Sequence, residues 1–532
     1  MNRLICQAVI TLAGLLAAGL PAARAQGSDP IGLALLRTLA TNVDGTGIRV
    51  AQPEANLGGS PSVFEVNPAS VGLPVSLFTY YSADGITNIF TNNVGAESWH
   101  ADGVAQNFYG WPGGAATNVA HVDNYDADFF VTNYLFNLAP MPAAAVVNQS
   151  YTFGPLAVTN QQAIDSAYDD YADTYGTLFV SAADNFGNAW PNSTNVCVPG
   201  TAYNCISVGA YANGTYYSSI GPTSDNGRCK PDLTAPAGAT SFSTPQVAGA
   251  ATALMQAALR GDGGGDTNAA FDMRTIKALL LNGAVKTADW TNSNSSPLDM
   301  RYGAGVLNVF NAYEQLAGGK QNFSASNSVA IGAAHPPLEA TNFVAATSGW
   351  DFRTIATSAT NDAVNHYFFN VSNGMATVTL VWNRQLGQTN YSNCINDLDL
   401  FLFNAANSNF VACSTSRVDN VEHLFIPRLP AGRYDLQVLK NGGTNVVSTA
   451  ETYALAFAFV PTKLNLAGSG PNAVLTWPAY PAGFLVETTT NLAAPAWSTN
   501  NLPAAALTNR LNLLQLPMTN ALQFFRLRLP NF

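Results

Sequence analysis

Charge is what this chain has least of: only 10% of its 532 residues are Asp, Glu, Lys or Arg. Its 22 basic residues are outnumbered by 33 acidic ones, for a formal charge of −11. That balance argues against nucleic-acid binding, which needs a basic face, and is compatible with bound calcium. Histidine is scarce as well, five in all, at 100, 121, 335, 366 and 423. There is no H-E-x-x-H, no C-x-x-C and no Cys/His cluster, which sets aside a zinc hydrolase. Beyond the first 25 residues no apolar run is long enough to span a bilayer, so no membrane span is expected.

The first 25 residues read as a secretory leader. Arg3 gives a positive start, Leu4 to Leu20 is mostly apolar, and Ala23-Arg24-Ala25 fits an A-x-A cleavage site. Abundant Asn, Thr, Ser and Ala suit a secreted or extracytoplasmic protein with a polar rather than ionic surface. Cys6 leaves with the leader. Export makes disulfides plausible among Cys197, Cys205, Cys229, Cys394 and Cys413. Nearest pairing would join Cys197 to Cys205 and Cys394 to Cys413, but five cysteines cannot all pair, and spacing does not settle the connectivity.

The length implies two to four domains. In the first part, apolar strands alternate with helices. Gly45 to Glu54 reads as a glycine turn entering a buried strand, and loops rich in Gly, Pro, Ser and Asn follow to about residue 95. His100 to Tyr109 starts a helix, Ala144 to Val146 is strand-like, and Gln161 to Tyr175 has helical spacing. Leu178 to Ala182 and Val208 to Tyr211 read as strands. Helices are expected near 244–260 and 272–286. This is the pattern of an α/β fold, a parallel β-sheet flanked by helices. From about 345 to 461 the helices disappear and short alternating runs predict an antiparallel β-sandwich or jelly roll. A small β domain is expected after Pro461. The expected domains are thus a leader at 1–25, an α/β domain at 26–320, a sandwich at 345–461 and a small β domain at 462–532.

The stretch Ala239-Thr240-Ser241-Phe242-Ser243-Thr244-Pro245-Gln246-Val247-Ala248-Gly249 carries the chemistry. Pro245 suits the first turn of a helix running from Val247 to about Arg260. A serine just ahead of it sits beside unpaired N–H groups and the positive end of the helix dipole, where an oxyanion would be stabilised. Taken alone, Ser241 or Ser243 reads equally as a helix cap. A serine nucleophile also needs a base. His366 and His423 fall in the sandwich, His335 in the linker and His121 in a buried strand. His100 opens the run Ser98-Trp99-His100-Ala101-Asp102-Gly103-Val104-Ala105.

These stretches, in this order, resemble the motifs of the subtilisin-like serine peptidases. The serine segment is similar to G-T-S-x-A-x-P-x-V-A-G, with Ala239 for the first Gly and Ser243 for Ala. His100, Val104 and Ala105 resemble H-G-T-x-V-A-G, with departures at Ala101, Asp102 and Gln106. The family's first strand ends in Asp where this chain has Glu54, with Asp44 as the alternative carboxylate. Val180 to Asn185 resembles the A-A-G-N strand end, with Asp184 for Gly, and implies Asn185 as the oxyanion donor. Tyr217 to Thr223, Gly227 to Pro236 and Arg301 to Asn308 resemble further family segments, so the likeness covers about residues 40–318. Val147 to Tyr151 resembles V-I-N-x-S-L, which implies that Ser150, Tyr151, Thr152, Phe153 and Gly154 line the substrate cleft by strand addition. The stretch ahead of the domain is too short for the usual inhibitory propeptide, and Pro236 to Ser241 is shorter than in typical members.

The resemblance implies a secreted serine endopeptidase, a monomer acting on extended protein or peptide substrates, with no cofactor for catalysis. Ser241 would attack, His100 would carry the proton, Glu54 would orient it and Asn185 would hold the oxyanion. The alternative is an impaired scaffold serving extracellular binding or adhesion, motivated by Glu54, Asp102 and Asp184. In the sandwich, Asn396-Asp397-Leu398-Asp399-Leu400 resembles a strand of jelly rolls appended to some subtilases. Asp397 and Asp399 would share one strand face, either solvated or bridged by structural calcium.

Overall fold

The computed structural model describes residues 29–91, 94–187, 195–212, 215–216, 218–339, 341–386, 395–500, 502–518 and 522–529. The expected leader at 1–25, with Cys6, lies outside them, as do Tyr217 and Cys394.

The first unit is built on a nine-stranded sheet. Its order is Thr215–Tyr216, Cys205–Ala212, Leu178–Ala182, Val146–Gln149, Arg49–Glu54, His121–Asp126, Phe78–Ser82 and Gly85–Thr87. Leu233–Ala235 pairs off this path against Cys205–Ala212. The inner pairings are parallel, and only the short end strands pair antiparallel. Val50, Val146, Val147, Phe179, Val180, Ile206 and Val208 are all buried, as strands covered on both faces require. Phe78–Ser82 and Gly85–Thr87 fall in the stretch expected to be loops. Phe78, Tyr80 and Tyr81 are buried there, a short aromatic strand hidden among turn residues.

The helix Thr240–Leu259 begins ahead of the expected start at 244 to 247, so Ser241 lies inside its first turn. It is rich in alanine and buried around nearly its whole circumference, which suits a helix threaded through the core. Pro245 sits within it. Proline has no N–H for the carbonyl four residues back, that of Ser241. Ser150 Oγ donates to that carbonyl instead, at 2.9 Å.

The second unit is an antiparallel sandwich. One sheet runs Ala325–Ala330, Asn361–Val371, Gly432–Lys440, Leu398–Asn404, Asn409–Ser414. The other runs Ser348–Ala356, Ala450–Pro461, Gly374–Trp382, Val421–Leu429. The C-terminal block forms a four-stranded and a two-stranded sheet, and its core shares Met375, Ala458 and Val460 with the sandwich.

A buried polar seam joins the sandwich to the α/β unit. Arg384 Nη1 meets Asp169 Oδ2 at 2.9 Å, and Asn204 exchanges hydrogen bonds with the Arg384 backbone. Asp419 accepts from Cys229 N, and Asn282 bonds Thr377 and Thr379. The acids Asp165 and Asp169 therefore share the buried face of helix Val158–Tyr175 with Tyr168, because arginines from elsewhere reach them.

Cys197, Cys205, Cys229 and Cys413 are free thiols, so the expected Cys197–Cys205 pairing does not form. Cys205 Sγ instead donates to the Ala202 carbonyl at 3.1 Å and Cys197 Sγ to the Asn195 carbonyl at 3.7 Å. Among the described residues, no helix is long and apolar enough to cross a membrane.

Candidate active site

Glu54 is the last residue of its strand and only 1% exposed. Its Oε2 accepts from His100 Nδ1 at 2.8 Å, and its Oε1 accepts from Gln52 Nε2 at 2.8 Å. Gln52 is held in turn by the Ala101 carbonyl and the Tyr109 hydroxyl. Both carboxylate oxygens are thus occupied, and the glutamate is fixed in one orientation. Asp44, the alternative carboxylate, bonds Thr46 and Asn118 instead.

His100 is the second residue of helix Trp99–Phe108, which Ser98 caps through Ala101 N. Burial disfavours the imidazolium, while the hydrogen bond and charge of Glu54 favour it. The balance lifts the His100 pKa above its ordinary 6.5. Asp102 turns away and accepts from Asn67 N at 2.7 Å. Burial lifts its carboxyl to about 6 against that hydrogen bond.

The histidine helix lies against the serine helix because glycines let them approach. A Cβ on Gly103 would come within 2.8 Å of Phe242, and one on Gly249 within 2.7 Å of Ala115 and 2.9 Å of the Phe108 carbonyl. The His100 ring centre is consequently 6.0 Å from that of Phe242, the residue after Ser241. Ser241 Oγ itself hydrogen-bonds the Ser150 carbonyl at 3.3 Å, and not His100.

Asn185 follows the strand Leu178–Ala182 and is exposed. Its Oδ1 accepts from Thr240 N at 2.7 Å and from Thr240 Oγ1 at 3.1 Å. A donor N–H on that side requires the oxygen there, so the amide nitrogen points the other way. Asp184, with φ at +84°, turns its carboxylate to Thr152 Oγ1 and to Asn185 N, each at 2.7 Å.

Of the residues expected to line the cleft, Ser150 touches Ser241, and Tyr151 joins a buried Gln149–Tyr168 cluster. Phe153 N donates to the Val198 carbonyl at 2.8 Å, and Gly154 N reaches Thr152 Oγ1 at 3.4 Å. The other histidines lie elsewhere. His121 meets Thr79, and His335 meets Gln437 of the sandwich rather than sitting in a bare linker. His366 sits between Asp435 and Asn327, and His423 bonds Thr379 and Lys286.

Three features escaped the sequence reading. Gln52 shares a strand face with Glu54, a two-residue spacing that could have flagged it. Trp99 is 71% exposed beside the His100 ring, at 5.7 Å between centres. The Thr152–Asp184 bond has no sequence signal, since the two lie in segments that follow different strands.

Asp397 and Asp399 flank Leu398, the first residue of the strand Leu398–Asn404. Among the described residues, no three His, Cys, Asp or Glu side chains are placed to hold a metal ion. Asp399 Oδ2 is bonded to Asn441, and burial, then the charge of Asp397, push its carboxyl to about 7.

Residues 134–305 match the profile of the subtilase family. They include Ser241 and Asn185, while Glu54 and His100 lie ahead of them. Among solved structures, a serine protease of Aeromonas sobria is 15% identical over 93% of this chain and 90% of that chain, with a TM-score of 0.36. The prenylagaramide maturation protease PagA is 19% identical over 54% of this chain and 99% of that chain, with a TM-score of 0.37. Tripeptidyl peptidase 2 is 13% identical over 77% of this chain and 45% of that chain, with a TM-score of 0.33. The chain thus holds, at 134–305, a stretch similar to the subtilase family, set in a parallel sheet with flanking helices.

Proposed function

We propose that the protein is a secreted endopeptidase that cuts extended protein segments by acyl transfer. The hydrogen bond between His100 and Glu54, set beside the first turn of the serine helix, carries this reading. Glu54 holds the Nδ1–H tautomer of His100, which leaves Nε2 as the base. The Ser241 hydroxyl gives its proton to Nε2 as it attacks the scissile carbonyl carbon. Asn185 Nδ2 and the Ser241 N–H, a first-turn donor without a helical acceptor, stabilise the oxyanion. His100 then returns the proton to the leaving amine, and water repeats the cycle on the acyl-enzyme.

The Ser241 hydroxyl rests on the Ser150 carbonyl before substrate arrives. A substrate strand laid along 150–154 offers its own N–H to that carbonyl. The displaced hydroxyl then rotates toward His100, in keeping with catalytic hydrogen bonds that tighten only in the complex. Ser241→Ala is expected to abolish hydrolysis of casein while the melting temperature stays within a few degrees.

The same resting contact favours the second reading, an impaired scaffold with a binding role. Fluorophosphonate separates the two. An adduct on Ser241 of the folded protein supports the peptidase, and its absence supports the binding role.

A further inference from the structure

We infer that the site accepts only a glycine, or poorly an alanine, on the acyl side of the scissile bond. This rests on the peptidase reading above. The strands Val146–Gln149 and Leu178–Ala182 are parallel neighbours. Beyond their carboxyl ends, the chain continues as two lips, 150–154 and 183–185. The first turn of the serine helix touches both lips, through Ser150 on one side and Asn185 on the other. A carbonyl carbon under attack by Ser241, with its oxygen at Asn185, therefore lies above the gap between them. Its own Cα sits on the acyl side, where the substrate strand pairs with 150–154. The side chain on that Cα must point down between the lips.

That gap is already filled. Thr152 Oγ1 donates to Asp184 Oδ2 across it at 2.7 Å. Asp184 is also held by Asn185 N at 2.7 Å, so its carboxylate is anchored at both oxygens. Residues 197 and 198 bridge the same two lips. Phe153 N donates to the Val198 carbonyl at 2.8 Å, and Cys197 N to the Ala183 carbonyl at 3.3 Å. Ala183 is fully buried, Cys197 is 5% exposed and Asp184 is 9% exposed. Asp184 also sits at φ +84°, a conformation suited to glycine. An aspartate kept there by two hydrogen bonds marks a site where the side chain has a task. Here the task is to tie the lips and occupy the space a large substrate side chain would need.

The test is a set of quenched fluorescent peptides, identical except for the residue before the scissile bond, assayed with the full chain. Glycine is expected to exceed phenylalanine and leucine by about a hundredfold or more in kcat/KM. Asp184→Gly suits the backbone and unties the lips, and should raise cleavage after phenylalanine relative to glycine at least tenfold. Thr152→Gly removes the other partner and should shift the ratio the same way. Equal cleavage after phenylalanine and glycine by the wild type overturns the inference. So does an unchanged profile in both variants, once circular dichroism shows them folded. A small fluorophosphonate without a side chain tells the two readings apart. Labelling of Ser241 without a glycine preference sinks this inference alone, whereas no labelling of folded protein sinks the peptidase reading and this one with it.

Discussion

Ser150 and Ser241 exchange hydrogen bonds. The Ser150 hydroxyl donates to the Ser241 carbonyl at 2.9 Å, and the Ser241 hydroxyl donates to the Ser150 carbonyl at 3.3 Å. The first bond exists because Pro245 cannot supply the helical N–H. Ser150→Ala should therefore leave a carbonyl without a partner and lower stability by about 1–3 kcal/mol in urea titrations. Peptide hydrolysis should fall with it, through looser placement of the nucleophile. Ser150→Thr, which keeps the hydroxyl, should recover much of the loss.

Glu54→Gln should lower kcat by up to about ten-thousandfold with little change in KM, because an amide cannot favour the required imidazole tautomer or stabilise the imidazolium. The measurement is steady-state kinetics on one peptide, beside a thermal melt to show the fold is kept. A loss under tenfold would detach Glu54 from the chemistry.

Activity and the His100 contribution to stability should run in opposite directions with pH. The base must be neutral, so kcat/KM should rise through the His100 pKa, which lies above 6.5. A pKa raised on folding stabilises the fold below the unfolded value of about 6.5, and this contribution is lost as pH rises through the folded pKa. Glu54→Gln should move the kinetic midpoint downward. A midpoint that stays put would show that Glu54 does not set it.

Arg384→Ala should cost about 3–5 kcal/mol in chemical denaturation, because Asp169 would be left buried without its partner. Burial already lifts the Asp169 pKa, and Arg384 opposes that. Removing the sandwich entirely should leave an insoluble α/β unit. Full solubility and activity of residues 29–320 alone would show the seam to be dispensable.

Lys286 is buried between the two units, bonded to the Ala304 carbonyl and to His423 Nε2, and it faces the rings of Trp290 and Phe425. Burial pulls its pKa down to about 7. The unfolded chain therefore binds the extra proton between about pH 7 and 10.5, and this group contributes stability that grows as pH rises through that window. Lys286→Met should flatten that rise in melting temperature relative to wild type. Parallel profiles would exclude the lysine as its source.

The α/β pattern, the later switch to antiparallel strands and the serine segment were legible in the sequence, because each is a local matter of periodicity, turn residues and short motifs. The ends of Leu178–Ala182 are legible in the sequence, since a short, mostly apolar run closed by Gly176 on one side fits a covered strand of such a sheet. The helix start was misplaced because Pro245 looked like a beginning. A serine hydroxyl some 90 positions away makes proline tolerable in that turn.

What the sequence determined by itself was which residue types stand at Glu54, His100, Asn185 and Ser241, and in what order. Only the tertiary structure decided their partners. It gave His100 to Glu54 rather than Asp44, turned Ser241 toward Ser150, and left Cys197 and Cys205 as separate thiols. It also buried Asp165 and Asp169 against Arg228 and Arg384 and tied Thr152 to Asp184. The physical reason is common to all of these. A hydrogen bond or ion pair depends on where two strands or helices bring their side chains within about 3 Å, and that distance belongs to the packing of the whole chain.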